Sequence, residues 1–199
     1  MNLSALDNYL EDLFSDYSAK DYCKNGLQIE GKEQVNNLAF AVSFNLQTAR
    51  KTLELNADAL ITHHGVFGYS FFDFSGPSRL KSSLFIQNGI SLFSFHLPLD
   101  MHREIGNNAV LHKIIGSEII DSVESGYIGQ NKNNLTLEEI SLRYFEHLKP
   151  SFYKKGRTII NPLWNHYSYN GFDLLKNNDK IPGRIAVISG AGSDIYPRL

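Results

Sequence analysis

Between residues 38 and 123, short apolar runs alternate with helical patterns, and this alternation restricts the fold more than any other feature of the chain. "NLAFAVSF", "DALITHH" and "ISLFSFHLPLD" read as strands. Between the first two, "NLQTARKTLELNA" sets Leu46, Ala49, Leu53 and Leu55 on a partial apolar face behind an Asn45 cap. "RLKSSLFIQNG" is a second helix ending at Gly89, and "IGNNAVLHKIIG" a third, stopped by Gly116 before the short strand "EIIDSV". Ahead of them, "LSALDNYLEDLF" spaces Leu3, Leu6, Leu10, Leu13 and Phe14 as an amphipathic opening helix. Strand–helix alternation with short links predicts an α/β fold, a parallel or mixed sheet covered by helices.

Past Glu124 the pattern weakens. "SVESGYIGQNKNN" reads as a loop, and "TLEEISLRYFEHLK" as a helix whose Thr136 and Glu139 form a capping box. Residues 152–183 mix aromatics with turn residues and support no assignment. "RIAVISGAGSD" is a strand followed by a glycine-rich turn. Two α/β-like lobes are expected, 1–123 and 124–199.

A net charge of −2 leaves no broad basic surface for nucleic acid. The single cysteine, Cys23, excludes an intramolecular disulfide and a Cys-rich zinc site, and reads as a buried or incidental thiol. The N-terminus lacks a basic stretch followed by a continuous apolar one, and no run approaches the ~20 residues that span a bilayer. A cytoplasmic location is expected.

Ligands of α/β sheets gather at the carboxyl ends of strands. His63 and His64 close "DALITHH", while His96 and Asp100 lie in and just past "ISLFSFHLPLD". Two imidazoles and a carboxylate suit a divalent metal such as zinc, manganese or iron. Adjacent histidines on an extended chain point to opposite sides, so His63 and His64 suit two different ions with a carboxylate between them. A two-metal site clamps both ends of a water-attack reaction and generates hydroxide at neutral pH. The pair also fits one core imidazole beside an exposed one. His96 reads equally as an outer hydrogen-bond donor or a satisfied core histidine. His102 and Glu104 read as loop surface or outer partners, and His112, His147 and His166 as helix-face or loop residues without a role. "SGAGS", 189–193, reads as a tight turn, with a phosphate cradle as the alternative. Gln28 and Glu30 of "NGLQIEG" read as structural or functional alike, and no Ser-His-Asp or Cys-His nucleophile is arguable.

Taken together, "NGLQIEG", "ALITHHGVFG", "SFHLPLDMHREIGNN" and "RIAVISGAGS" stand in the order and spacing of a known family. From the first helix to residue 193 the chain resembles the GTP cyclohydrolase 1 type 2 family, the Nif-three-like dinuclear metal proteins, in its short bacterial form. The resemblance implies two similar α/β lobes with mixed sheets, two divalent ions per subunit, and a ring-shaped homohexamer. It makes His63, His64 and Asp100 metal ligands, with Asp100 as the bridge, and leaves His96 to orient or transfer protons. The implied activity is metal-dependent hydrolysis of a nucleotide, opening the guanine ring of GTP. The alternatives are a non-catalytic metal-binding or scaffold ring, or an inactive member. The family's other two ligands lie in a G-H-x-x-x-E motif that is absent from these 199 residues. A C-terminally truncated chain with an incomplete second lobe is therefore expected.

Overall fold

Leu3, Leu6, Leu10 and Phe14 share one face of α1 (Leu3–Phe14), and all four are buried. The Asn2 side chain starts this helix by accepting the Ala5 amide at 2.8 Å. The computed structural model describes residues 1–17, 21–68, 73–148, 157–161, 166–169, 172–175 and 178–190. The chain divides into two units, Met1–His102 and Arg103–Leu199.

In the first unit, β1 (Gly26–Ile29), β2 (Leu38–Ser43), β3 (Ala59–His64) and β4 (Ser91–Ser94) form one sheet in the order β1-β4-β3-β2. β2, β3 and β4 run parallel, and β1 joins antiparallel on the edge. Strand alternation sends Ala59 and Phe93 to the α1 face, where they pack with Leu6, Leu10 and Phe95. Leu60 and Leu92 face the other way, into a core with Ala49 of α2 (Leu46–Glu54) and Phe85 of α3 (Gly76–Asn88). Asn45 caps α2 as expected, accepting the Thr48 amide at 2.9 Å. The third strand is shorter than its apolar run suggests. β4 stops at Ser94, and Pro98, in the first turn, helps start the short helix α4 (Leu97–Met101). His96 thus lies just outside the strand, and Asp100 on a helix rather than in a loop.

In the second unit, β5 (Glu118–Val123), β6 (Gly126–Gln130) and β10 (Arg184–Val187) make an antiparallel sheet in the order β10-β6-β5. β6 lies where the sequence reads as a loop. Its residues are short, mixed and glycine-rich, and they become a strand by pairing across the tight Glu124–Ser125 turn and with distant β10. The divide expected at residues 123/124 falls inside this hairpin. α5 (Asn107–Ile115) and α6 (Leu137–Leu148) contribute Ile115 and Ile140 to one cluster with Leu135. The Thr136–Glu139 capping box forms as expected, with Thr136 N to Glu139 Oε2 at 2.8 Å and Glu139 N to Thr136 Oγ1 at 3.2 Å. β7 (Arg157–Asn161), β8 (His166–Tyr169) and β9 (Phe172–Leu175) form a separate antiparallel sheet in the unassigned region. The "SGAGS" turn lies largely outside the described residues.

His112, on α5, is only 1% exposed. Its Nε2 donates to the Tyr127 carbonyl at 3.1 Å, and Nδ1 has no hydrogen-bond partner among the described residues. Burial lowers its pKa below the ordinary imidazole value, against the opposing pull of the Tyr127 bond. The unfolded chain then takes up this proton at higher pH than the folded one. Stability is therefore full above the unfolded value of about 6.5 and falls as pH drops below it. His112→Gln keeps a donor for Tyr127 and is expected to lessen the loss of urea stability between about pH 7.5 and 5.5. Equal losses in the two proteins would refute this.

Candidate metal centre

The parallel pairing of β2, β3 and β4 brings their carboxyl ends side by side, and the histidines collect there. His63 and His64 are the last two residues of β3. Pleating gives them different surroundings, His63 buried and His64 exposed. Their rings nevertheless lie 4.4 Å apart between centroids, so they converge at the strand end rather than serving two separate sides. The His96 ring stacks on His63 at 4.8 Å and stands 5.7 Å from His64. One donor atom from each of His63, His64 and His96 lies within 4.8 Å of the other two. Asp100, itself buried, places Oδ2 3.7 Å from His63 Nε2.

The outer nitrogen of each ring is already engaged. His63 Nδ1 lies 3.1 Å from the Phe95 carbonyl, which can only accept, so Nδ1 carries the hydrogen and Nε2 keeps its lone pair when the ring is neutral. His96 Nδ1 is held by both Asp21 oxygens, at 3.0 and 3.2 Å. His64 Nδ1 meets the Ser43 hydroxyl at 2.9 Å. His64 is also drawn below the ordinary imidazole pKa, first by desolvation and then by His63 and His96, with Asp100 opposing. Neutral imidazoles fixed through Nδ1 are what a cation requires. A tetrahedral ion with bonds of about 2.0–2.2 Å separates its donors by roughly 3.3–3.6 Å. The 3.7 Å gap from His63 to Asp100 is close to that spacing and too long for a hydrogen bond. The donor set therefore fits a divalent cation.

Residues with no evident chemistry in the sequence hold this arrangement in place. Gln28 Oε1 accepts Val66 N at 2.7 Å and Phe67 N at 3.3 Å, pinning the turn after the histidine pair. Asn25 Oδ1 accepts His96 N at 2.7 Å. Asp21 accepts Cys23 N at 3.0 Å, Asn25 Nδ2 at 3.1 Å and Leu97 N at 2.9 Å, besides His96. Burial alone would raise the Asp21 pKa, but these bonds outweigh it and keep it below the ordinary carboxylate value. Asp21, Cys23 and His96 also offer three donor atoms within 4.8 Å. That trio suits a metal poorly. The Asp21 oxygens are occupied, and burial, with the Asp21 charge, raises the Cys23 pKa and keeps the thiol protonated. His102 is a core residue, packed against Phe14 and Tyr17, and Glu104 is exposed.

A profile of the family described as Duf34/NIF3 (NGG1p interacting factor 3) matches residues 1–199. The chain belongs to the DUF34/NIF3 family. A Pyrococcus horikoshii relative named GTP cyclohydrolase 1 type 2 homolog is 36% identical over 96% of this chain and 72% of its own length. An Archaeoglobus fulgidus protein of the same name is 39% identical over 118 residues, 59% of this chain and 48% of the relative. Among solved structures, TTHA1606 from Thermus thermophilus superposes with a TM-score of 0.74 at 26% identity, covering 100% of this chain and 74% of that one. The NIF3 fold is thus shared, and the His/Asp group lies at strand ends within it. No helix among the described residues is long and apolar enough to cross a membrane.

Proposed function

We propose that the strand-end cluster is a divalent-metal centre in which His63, His64 and Asp100 are ligands and His96 adds a third imidazole. The observation that carries this reading is the set of anchored Nδ1 atoms, which leaves Nε2 of His63 and His96 as the electron-pair donors, that of His96 facing the Tyr22 hydroxyl at 3.4 Å. Zinc, manganese and iron all suit three imidazoles and a carboxylate. The 4.8 Å spread of imidazole donor atoms accommodates one ion, or two sharing Asp100. A bound ion would supply Lewis acidity and activate water at neutral pH. The chain's own part is to hold the imidazoles at fixed angles through their Nδ1 partners and to keep Asp100 beside them, largely shielded from solvent.

On that basis the chain is a metal-dependent hydrolase acting on a nucleotide, with GTP the substrate suggested by its relatives' name. The homohexameric ring and cytoplasmic location implied by the family resemblance belong to the same proposal. GTP turnover with added manganese or zinc tests the activity, with His63→Ala as control. Metal-dependent product above that control is expected, and its absence would remove the hydrolase reading. Stoichiometric metal in purified protein without turnover would support a metal-binding or scaffold role. For His96, loss of metal in His96→Ala supports ligation, whereas retained metal with lost turnover supports proton transfer.

A further inference from the structure

Nothing in the local sequence marks Asp21, which stands 75 residues from the histidine it touches. Its side chain is nevertheless only 2% exposed. Its two oxygens meet hydrogen donors from two places, Cys23 N and Asn25 Nδ2 in its own loop, and His96 Nδ1 and Leu97 N across the sheet end. Leu97 is the first residue of α4, the helix that carries Asp100, and His96 supplies no side-chain cap there. One carboxylate therefore touches both the His96 ring and the start of the helix bearing the acidic ligand.

We infer that Asp21 is a positioning residue of the centre, fixing His96 with its hydrogen on Nδ1 and its Nε2 lone pair toward the Tyr22 hydroxyl 3.4 Å away, while anchoring the first turn of α4. This rests on the metal-centre reading above. A carboxylate accepts hydrogen bonds only, so a neutral imidazole facing it through Nδ1 must carry the hydrogen there. Asparagine at position 21 has one accepting oxygen and one donating NH2. Whichever way it turns, an N–H faces a donor that Asp21 satisfies. Turned toward His96, it favours the opposite tautomer, with Nε2 protonated and unable to give its electron pair.

Zinc affinity of the full chain tests this in a cycle of wild type, Asp21→Asn, His96→Ala and the double variant. Asp21→Asn is expected to weaken zinc binding by about 10–100-fold, and by under about threefold when His96 is already alanine. Nitrogen-15 NMR of the metal-free proteins at about pH 7.5 gives a readout that packing alone does not move. It should show His96 as the Nδ1–H tautomer in wild type and shifted toward Nε2–H in Asp21→Asn. Unchanged zinc affinity in Asp21→Asn, an equal loss on the His96→Ala background, or an Nε2–H tautomer in wild type would each overturn the inference. Should Asp21→Asn not fold, the wild-type tautomer still decides the orientation. Failure of wild type to bind zinc would instead overturn the metal-centre reading, leaving the tautomer to judge Asp21.

Discussion

His63→Ala is expected to weaken zinc binding by at least about 100-fold, beyond the 10–100-fold typical when only a ligand's hydrogen-bond partner is lost. The variant removes the Nε2 donor 3.7 Å from Asp100 and the ring stacked on His96 at 4.8 Å. Neither sequence neighbour replaces it, because the Thr62 hydroxyl donates to the Phe93 carbonyl and the residue after the histidine pair is a glycine. Competition against a chelator of known affinity measures the loss, with circular dichroism confirming the fold. His102→Ala is the matched control. Its imidazole is equally buried but packs on Phe14 and Tyr17, so its removal should lower the melting temperature and leave zinc affinity within about threefold. Wild-type affinity in His63→Ala would remove His63 from the donor set.

The contrast between His63 and Asp21 shows what was legible in the sequence. A histidine pair at the end of an apolar run draws notice, although by itself it fits one core imidazole beside an exposed one, and Asp100 and the surrounding motifs are what turn it toward a metal. Asp21, Asn25 and Gln28 draw none, since their partners at His96, Leu97 and Val66 lie 38 to 76 residues away. Composition gives no hint of such pairings. Only the antiparallel seating of β1 beside β4 brings the "DYCKNGLQIEG" segment to the cluster. β3 and β4 were readable because both of their faces are covered, which demands unbroken apolar runs, and β2 keeps such a run although Leu38, Phe40 and Val42 on this edge strand are exposed. β6 was not, because an antiparallel hairpin strand takes its identity from pairing partners rather than from its own period. The start of α4 had a local cue in Pro98, masked by the apolar residues that continue β4 in sequence.

Gly65→Ala is expected to destabilise the first unit by about 2–4 kcal/mol and to weaken zinc binding as well. Glycine is needed here for space rather than for backbone freedom. A Cβ at this position would overlap Gln28 Oε1 and come within 2.7 Å of both Gln28 Cδ and Ser94 Cβ. The Gln28 side chain lies over Gly65 in order to reach the amides of Val66 and Phe67. Displacing it leaves two amides without their acceptor, at about 1–3 kcal/mol each where they are buried. The same displacement loosens the turn directly after His64. Urea unfolding of Gly65→Ala, Gln28→Ala and the double variant separates the causes. Once Gln28 is alanine the main overlap is gone, so the double variant should cost at least about 1 kcal/mol less than the sum of the singles. Strict additivity would mean that Ser94 or the backbone, not Gln28, enforces glycine beside the histidine pair. The "HHG" sequence would then record sheet packing alone, with no link to the loop that carries Asp21.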